Sequence, residues 1–410
     1  MTLLLCALFL LLSASPPPGE IDKLMAEPLV QRAIADIRKN EPQTIDEQVR
    51  LCEIPAPPFK ESLRAQAYRK AFQSNGLKNV RIDAAGNVIG ERPGLALHPN
   101  VVVSAHLDTV FPEGTALRVT RQGTSLKGPG IGDDCRGLAV LLGVLRAMNA
   151  AQLQTPGTVT FVGTVGEEGL GDLRGVKHLF DVELKGRVDR FVSVDGAGNA
   201  ITHRSVGSRR YKVTVRGSGG HSYSAFGLAN PVHALGRAIA RIAEFAVPQD
   251  PKTTFNVGRI GGGTSVNSIA FEAWMEIDMR SADETHLRRL DAQLHAALDA
   301  ALADEHARWS NGGKLTMDRQ LVGDRPAGTV SESAPIVQSA VGATRALHMP
   351  VSLVEGSTDA NYPMSLGVPA ITIDGGGSGE HAHSLEERFD TTNSWQGTAR
   401  ALLLTLLLAK

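Results

Sequence analysis

The chain has 410 residues, with 42 Lys and Arg against 43 Asp and Glu and a formal net charge of -1. That length exceeds what one compact core usually serves, so two domains are expected. Apolar residues at 42% and charged residues at 21% are ordinary for a globular protein, and balanced charge without a long basic run excludes a nucleic-acid surface.

The first residues, MTLLLCALFLLLSASPPPGE, form an apolar run followed by small residues and three prolines. They read as a secretory signal over 1–20 with SAS at 13–15 as the cleavage site, although no Lys or Arg precedes the run. The run is too short for a comfortable membrane span. Export to the periplasm or medium is therefore expected, with cytoplasmic residence if the run is no signal. Cys6 lies inside it, and Cys52 and Cys135 are the remaining thiols. No disulfide framework exists, and the spacing does not support a single Cys52–Cys135 bridge.

Residues 25–76 read as helical, with TIDE at 44–47 as a capping box ahead of Val49 and Leu51 and IPAPP at 54–58 as a break. Strand-like segments follow: NVRIDA, NVIGE, NVVVSAH, GTVTFVGTV and RFVSVD. Between them Leu138, Leu141, Leu142, Leu145 and Met148 recur at helical spacing. Strands alternating with helices predict an α/β sheet covered on both faces.

From about Ser208 the texture changes. YKVTVRGSGGHSYS alternates like an exposed antiparallel strand, NPVHALGRAIARIAEFA is an amphipathic helix, and the segment from Phe255 to Ser281 supplies two more strands. A second helix carries Leu287, Leu290, Leu294 and Leu298 on one face. Strand–helix–strand–strand–helix predicts a small α+β insertion. DRPAG, LVEGSTDANYP and PAITIDGGG then return to α/β character, and ARALLLTLLLAK reads as a buried terminal helix.

Five short segments carry chemistry. In SAHLDTV, an extended strand would point His106 and Asp108 to the same side, letting the Asp108 carboxylate hold one ring nitrogen while the other meets a metal. Alone, such a pair is a surface feature. GPGIGDDCRG places Asp133 and Asp134 at a helix start, where an ordinary N-cap is the simpler reading. FVGTVGEEGLGD ends a strand in Glu167 and Glu168, whose charges repel unless a cation or proton lies between them. FVSVDG ends another strand at Asp195, and GEHAHSLEE brings His381 and His383 late in the chain. Together they cluster at the carboxyl ends of strand-like segments, where open α/β sheets build their sites. Histidine and carboxylates without a thiolate suit zinc, with cobalt or manganese as substitutes.

The ordered series H-L-D, G-P-G-x-x-D-D, G-E-E-G, V-D-G and A-H-S-x-x-E resembles the co-catalytic dizinc exopeptidase and deacylase superfamily, nearest to peptidase T-like members. That resemblance implies a three-layer α/β catalytic domain (21–207 and 320–410) with an inserted ferredoxin-like α+β lid and dimerisation domain (208–319). It implies two zinc ions per subunit, one on His106, Asp133 and Asp195, the other on Asp133, Glu168 and His383. Of the late histidines, His383 fits the family's A-H-x-x-(D/E)-E and His381 is the alternative. Asp133 would bridge, its bond to Asp134 cis. Glu167 would be the general base, Asp108 the orienting residue, and His221 of the opposite subunit of a homodimer would stabilise the reacting carbonyl. Asn267, Arg280, Arg325 and Thr358 would bind substrate, with Asp359 shaping the pocket; for Arg280, a salt bridge with Asp278 is the competing role. Cys135 departs from the Lys or Met common after the acidic pair. The implied substrate is a small peptide or an N-acyl amino acid, with no nucleic acid and no membrane contact beyond the signal segment.

Overall fold

The computed structural model describes residues 19–309 and 313–410; the expected signal segment, with Cys6, lies outside them. Six strands lead the central sheet: β1 (Lys78–Ile82), β2 (Val88–Arg92), β3 (Asn100–His106), β4 (Thr158–Thr164), β5 (Arg190–Val194) and β6 (Ala200–Ser205). Four lid strands follow: β7 (Gly207–Arg216), β8 (Thr253–Gly262), β9 (Glu272–Ser281) and β10 (Thr316–Arg325). β11 (Gly328–Thr329), β12 (Ser352–Gly356) and β13 (Ala370–Ile373) return to the central sheet. Its order is β1-β2-β4-β3-β5-β13-β6-β11, with β12 also on β6.

The centre, β4-β3-β5-β13, is parallel, which aligns its carboxyl ends. Every residue of β3 and β4 is buried, as a parallel strand covered on both faces requires. Val101, Val103 and Ala105 pack with Leu138, Leu141 and Leu145 of the helix Cys135–Ala150 and with Leu402 of the terminal helix Trp395–Leu408. Val102 points the other way, to Ile89, Val176, Leu179 and Phe191. This alternation is the three-layer sandwich, and each fully buried Leu or Val contributes about 1.5–3 kcal/mol. No described helix is long and apolar enough to cross a membrane.

The lid sheet runs β8-β9-β7-β10, wholly antiparallel. With helices Pro231–Ala243 and Glu284–Arg308 the order along the chain is βαββαβ, a ferredoxin-like unit with its own core of Val213, Val215, Met275, Ile277, Leu294 and Leu298. The sequence showed five of these six elements. β10 was not foreseen, because both its faces are largely solvated, and it carries the lid sheet past residue 319 to Arg325.

One local expectation fails. The helix Glu41–Cys52 starts a turn before the TIDE box, with Asn40 at its N-cap position, making no side-chain cap, and Pro42 in its first turn. Thr44 is thus internal, and its hydroxyl points back to the Asn40 carbonyl at 3.5 Å.

Candidate metal centre

The parallel centre of the sheet delivers three of the five segments that carry polar side chains to the site. His106 ends β3, Glu167 and Glu168 follow β4, and Asp195 follows β5. His106 pairs in register with Thr164, so the Glu pair leaves the sheet beside the histidine. Asp133 and Asp134, joined by a cis bond, precede the helix Cys135–Ala150.

Asp133 lies at the middle. Its Oδ1 is 2.9 Å from His106 Nε2 and its Oδ2 3.0 Å from His383 Nε2. Asp195 Oδ1 lies 3.7 Å from the first imidazole and Glu168 Oε1 2.9 Å from the second. His106, Asp133 and Asp195 form one group able to hold a cation, and Asp133, Glu168 and His383 another; His106, Glu167 and Glu168 form a third. His381 enters no such group among the described residues. Two imidazoles with carboxylates and no thiol suit zinc.

The second acid of the pair takes the other role considered for it. Asp134 caps the helix by accepting Gly137 N–H at 2.9 Å, and its other oxygen accepts His106 N–H at 3.0 Å.

Asp108 corrects the sequence reading. β3 stops at His106, so the same-side rule for extended chain does not reach Asp108. The imidazole Nδ1 instead donates to the Asp108 backbone carbonyl at 3.0 Å, while the carboxylate stands off at 3.8 Å. That carboxylate, fully buried, accepts Glu167 N–H at 3.1 Å and Glu168 N–H at 2.9 Å. The Asp108 carboxylate therefore fixes the glutamate loop, while its backbone carbonyl orients the histidine ring.

The electrostatics follow from crowding acids around a buried imidazole, His106, and a half-exposed one, His383. Burial opposes charge on His106, yet Asp133 and Asp195 outweigh it and hold its pKa well above the usual range. Contacts to Asp133 and then Glu168 push His383 up to about 10. Burial also works against the Asp133 charge, but His106 and His383 hold that carboxyl well below the usual range. Burial pushes the Glu167 carboxyl well up, against the neighbouring Arg325 guanidinium.

The expected substrate residues are dispersed. His221 and Asn267 meet on a short exposed lid ribbon, where Gly220–His221 pairs with Ser268–Ile269 and Ser222 N–H donates to the Asn267 carbonyl. His221 Nδ1 accepts from Tyr223 N–H at 3.2 Å. Arg280 makes the competing salt bridge, its Nε 2.8 Å from Asp278 Oδ2. Thr358 spends its hydroxyl on Thr372 at 2.7 Å. Asp359 is buried under the site, takes the Thr164 hydroxyl at 2.5 Å, and is pushed up to about 7 by burial. Arg325 is only 4% exposed and lies on Glu167. Cys135 and Cys52 are buried free thiols in one small apolar cluster.

Three residues were missed. Glu387 accepts N–H groups from Gly130, Gly132 and Asp133 at 2.9, 2.8 and 3.0 Å, and so holds the Asp133 turn. It stands inside the quoted HSLEE, which was the available signal. Arg64 is fully buried and donates to the Leu107 carbonyl at 2.8 Å, next to His106. Arg210 reaches the Gly169 carbonyl at 2.7 Å. Neither arginine has a local sequence signal.

A three-layer α/β sheet with a buried His106, a half-exposed His383 and their carboxylates at its carboxyl edge fits a metal-dependent hydrolase, and the family match makes it one that acts on amide bonds. Residues 102–407 match the model of peptidase family M20/M25/M40, and the chain belongs to that family. It is 24% identical over 352 residues to the uncharacterized protein YqjE of Bacillus subtilis, covering 82% of this chain and 90% of that one. It is 27% identical over 259 residues to a succinyl-diaminopimelate desuccinylase of Nitrosospira multiformis, covering 58% and 67%. The fold is similar to a tripeptidase of Staphylococcus aureus, with TM-score 0.75, 23% identity and coverage of 90% and 99%. It is also similar to the aminopeptidase PepT of Bacillus cereus, with TM-score 0.72, 20% identity and coverage of 90% and 99%.

Proposed function

We propose that the chain is an exopeptidase that cleaves an amide bond of di- or tripeptides. Two zinc ions would sit on His106, Asp133 and Asp195, and on Asp133, Glu168 and His383, with cobalt or manganese as substitutes. The observation that carries this reading is the split of one carboxylate, Asp133, between two imidazoles at 2.9 and 3.0 Å. When bound, the paired cations supply Lewis acidity and lower the pKa of water towards neutrality.

The side chains do the remaining work. Asp108 fixes the glutamate loop through two N–H groups. Glu167 takes the proton from water and returns it to the leaving amine. Its burial, which raises its pKa, favours holding that proton between the two transfers. Asn267, Arg280 and Thr358 are proposed substrate contacts, with Asp359 beneath them. The proposal includes a homodimer in which His221 of a second copy meets the developing negative charge on the carbonyl oxygen. The exposure of the His221 ribbon supports it, as does fully exposed Val266 beside that ribbon. Export is retained as part of the proposal.

The desuccinylase relatives favour a second reading, an N-acyl-amino-acid amidohydrolase. A panel of tripeptides, dipeptides and N-acyl amino acids decides between them. Turnover of free peptides is expected; turnover confined to the acyl compounds would reject the peptidase reading.

A further inference from the structure

Arg325 is the last residue of β10, opposite Ser208 where the lid joins the catalytic layers. Its guanidinium has no free fork for a substrate carboxylate. Nη1 donates to Glu167 Oε1 at 3.2 Å and to Ser357 Oγ at 3.2 Å, and Nη2 donates to the Glu167 carbonyl and to Gly169 O at 3.5 Å. The Nε atom is sealed from solvent and has no partner. Bidentate recognition of a ligand needs two adjacent free donors, and here both terminal nitrogens are engaged within the protein.

The same loop is pinned to the lid at further points. Arg210 of β7 donates to Gly169 O at 2.7 Å. Asp324 N–H donates to Asp172 Oδ1 at 2.8 Å, and Lys177 bridges Asp172 at 2.7 Å and the Asp324 carbonyl at 2.9 Å. Asp172 and Leu173 both have positive φ, 54° and 59°, so this turn is held in a conformation that L residues seldom adopt. Strands β7 and β10 of the lid thus grip residues 167–177 from one side, while Asp108 grips the same loop from the catalytic side.

We infer that Arg325 is a positioning residue, which ties the lid to the loop of the general base so that lid position and the placement of Glu167 are set together. This rests on the proposed role of Glu167. A change in lid angle would move β10 and, through Arg325, the carboxylate that must meet the water proton. Because catalysis depends steeply on such placement, a misplacement of about 1 Å costs on the order of 10²-fold in rate.

The test compares Arg325→Ala, Arg325→Lys and Asp172→Asn with the wild-type chain on its best peptide substrate. Arg325→Ala is expected to lower kcat about 10²-fold with KM little changed. Arg325→Lys should recover part of that loss, and Asp172→Asn should lower kcat more mildly, again at constant KM. Hydrogen exchange gives a readout independent of turnover: backbone amides of 166–173 should exchange faster in both Arg325 variants, while β3 and the lid helices are unaltered. A large rise in KM at preserved kcat would make Arg325 a substrate anchor and overturn the inference. Unaltered exchange in 166–173 would overturn it as well. Wild-type protein without turnover of any amide would refute the peptidase reading, and the exchange data would still decide the coupling.

Discussion

Replacing Glu387 by Gln preserves the size of a side chain that holds three backbone N–H groups but exchanges one accepting oxygen for an NH2 donor. Oε1 accepts from Gly132 and Asp133 and Oε2 from Gly130. The better amide orientation keeps the first two contacts and sets a donor against Gly130 N–H. A hydrogen bond to a charged group contributes about 1.5–3 kcal/mol, and about 1.4 kcal/mol is tenfold in an equilibrium constant. The lost contact loosens the turn that aims Asp133 at both imidazoles. Affinity for zinc should therefore fall roughly 10–100-fold, the usual range for residues that orient metal ligands. Competition for zinc between the apoprotein and a chromophoric chelator measures it, with circular dichroism to show that the fold persists. Glu387→Gln binding zinc as tightly as wild type, with the same spectrum, would refute the idea that Glu387 sets the Asp133 turn.

Glu167→Gln should keep metal content near two per chain while kcat falls by about 10²–10⁴-fold; loss of metal instead would mean that Glu167 and Glu168 exchange roles. His383→Ala should lose metal in elemental analysis while His381→Ala keeps it, because His383, and not His381, meets Asp133 and Glu168. Asp283 caps the helix Glu284–Arg308 by accepting His286 N–H at 2.9 Å, and that bond holds its carboxyl below the usual range. Asp283→Ala should cost about 0.5–2 kcal/mol of lid stability in chemical denaturation. A depressed carboxyl stabilises above the pKa of the unfolded chain and loses that contribution as pH falls through its folded value. The difference between wild type and variant should therefore be present at neutral pH and shrink in acid; a constant difference would contradict the cap.

The sheet and most of the proposed ligands were legible because parallel strands write both signals locally. A buried apolar run such as NVVVSAH names a strand, and the residue at its carboxyl end is delivered to one edge whatever the rest of the chain does. His106, Glu168 and Asp195 follow that rule. Asp108 failed because the strand ends two residues before it, so its carboxylate turns to the glutamate loop. The contacts of Arg325 and Glu387 were beyond reach for a different reason. Both residues stand in marked segments, DRPAG and HSLEE, but their partners lie 158 and 255 residues away, and neither segment names such a pairing. The TIDE motif misled because Asn40 and Pro42, just upstream, start the helix first.

The direct measurement of the whole account is anomalous diffraction at the zinc edge from crystals of the protein grown with zinc. Two peaks are expected in each chain, both touching Asp133, one also flanked by His106 and Asp195 and the other by Glu168 and His383. A single peak, or zinc bound away from Asp133, would contradict it.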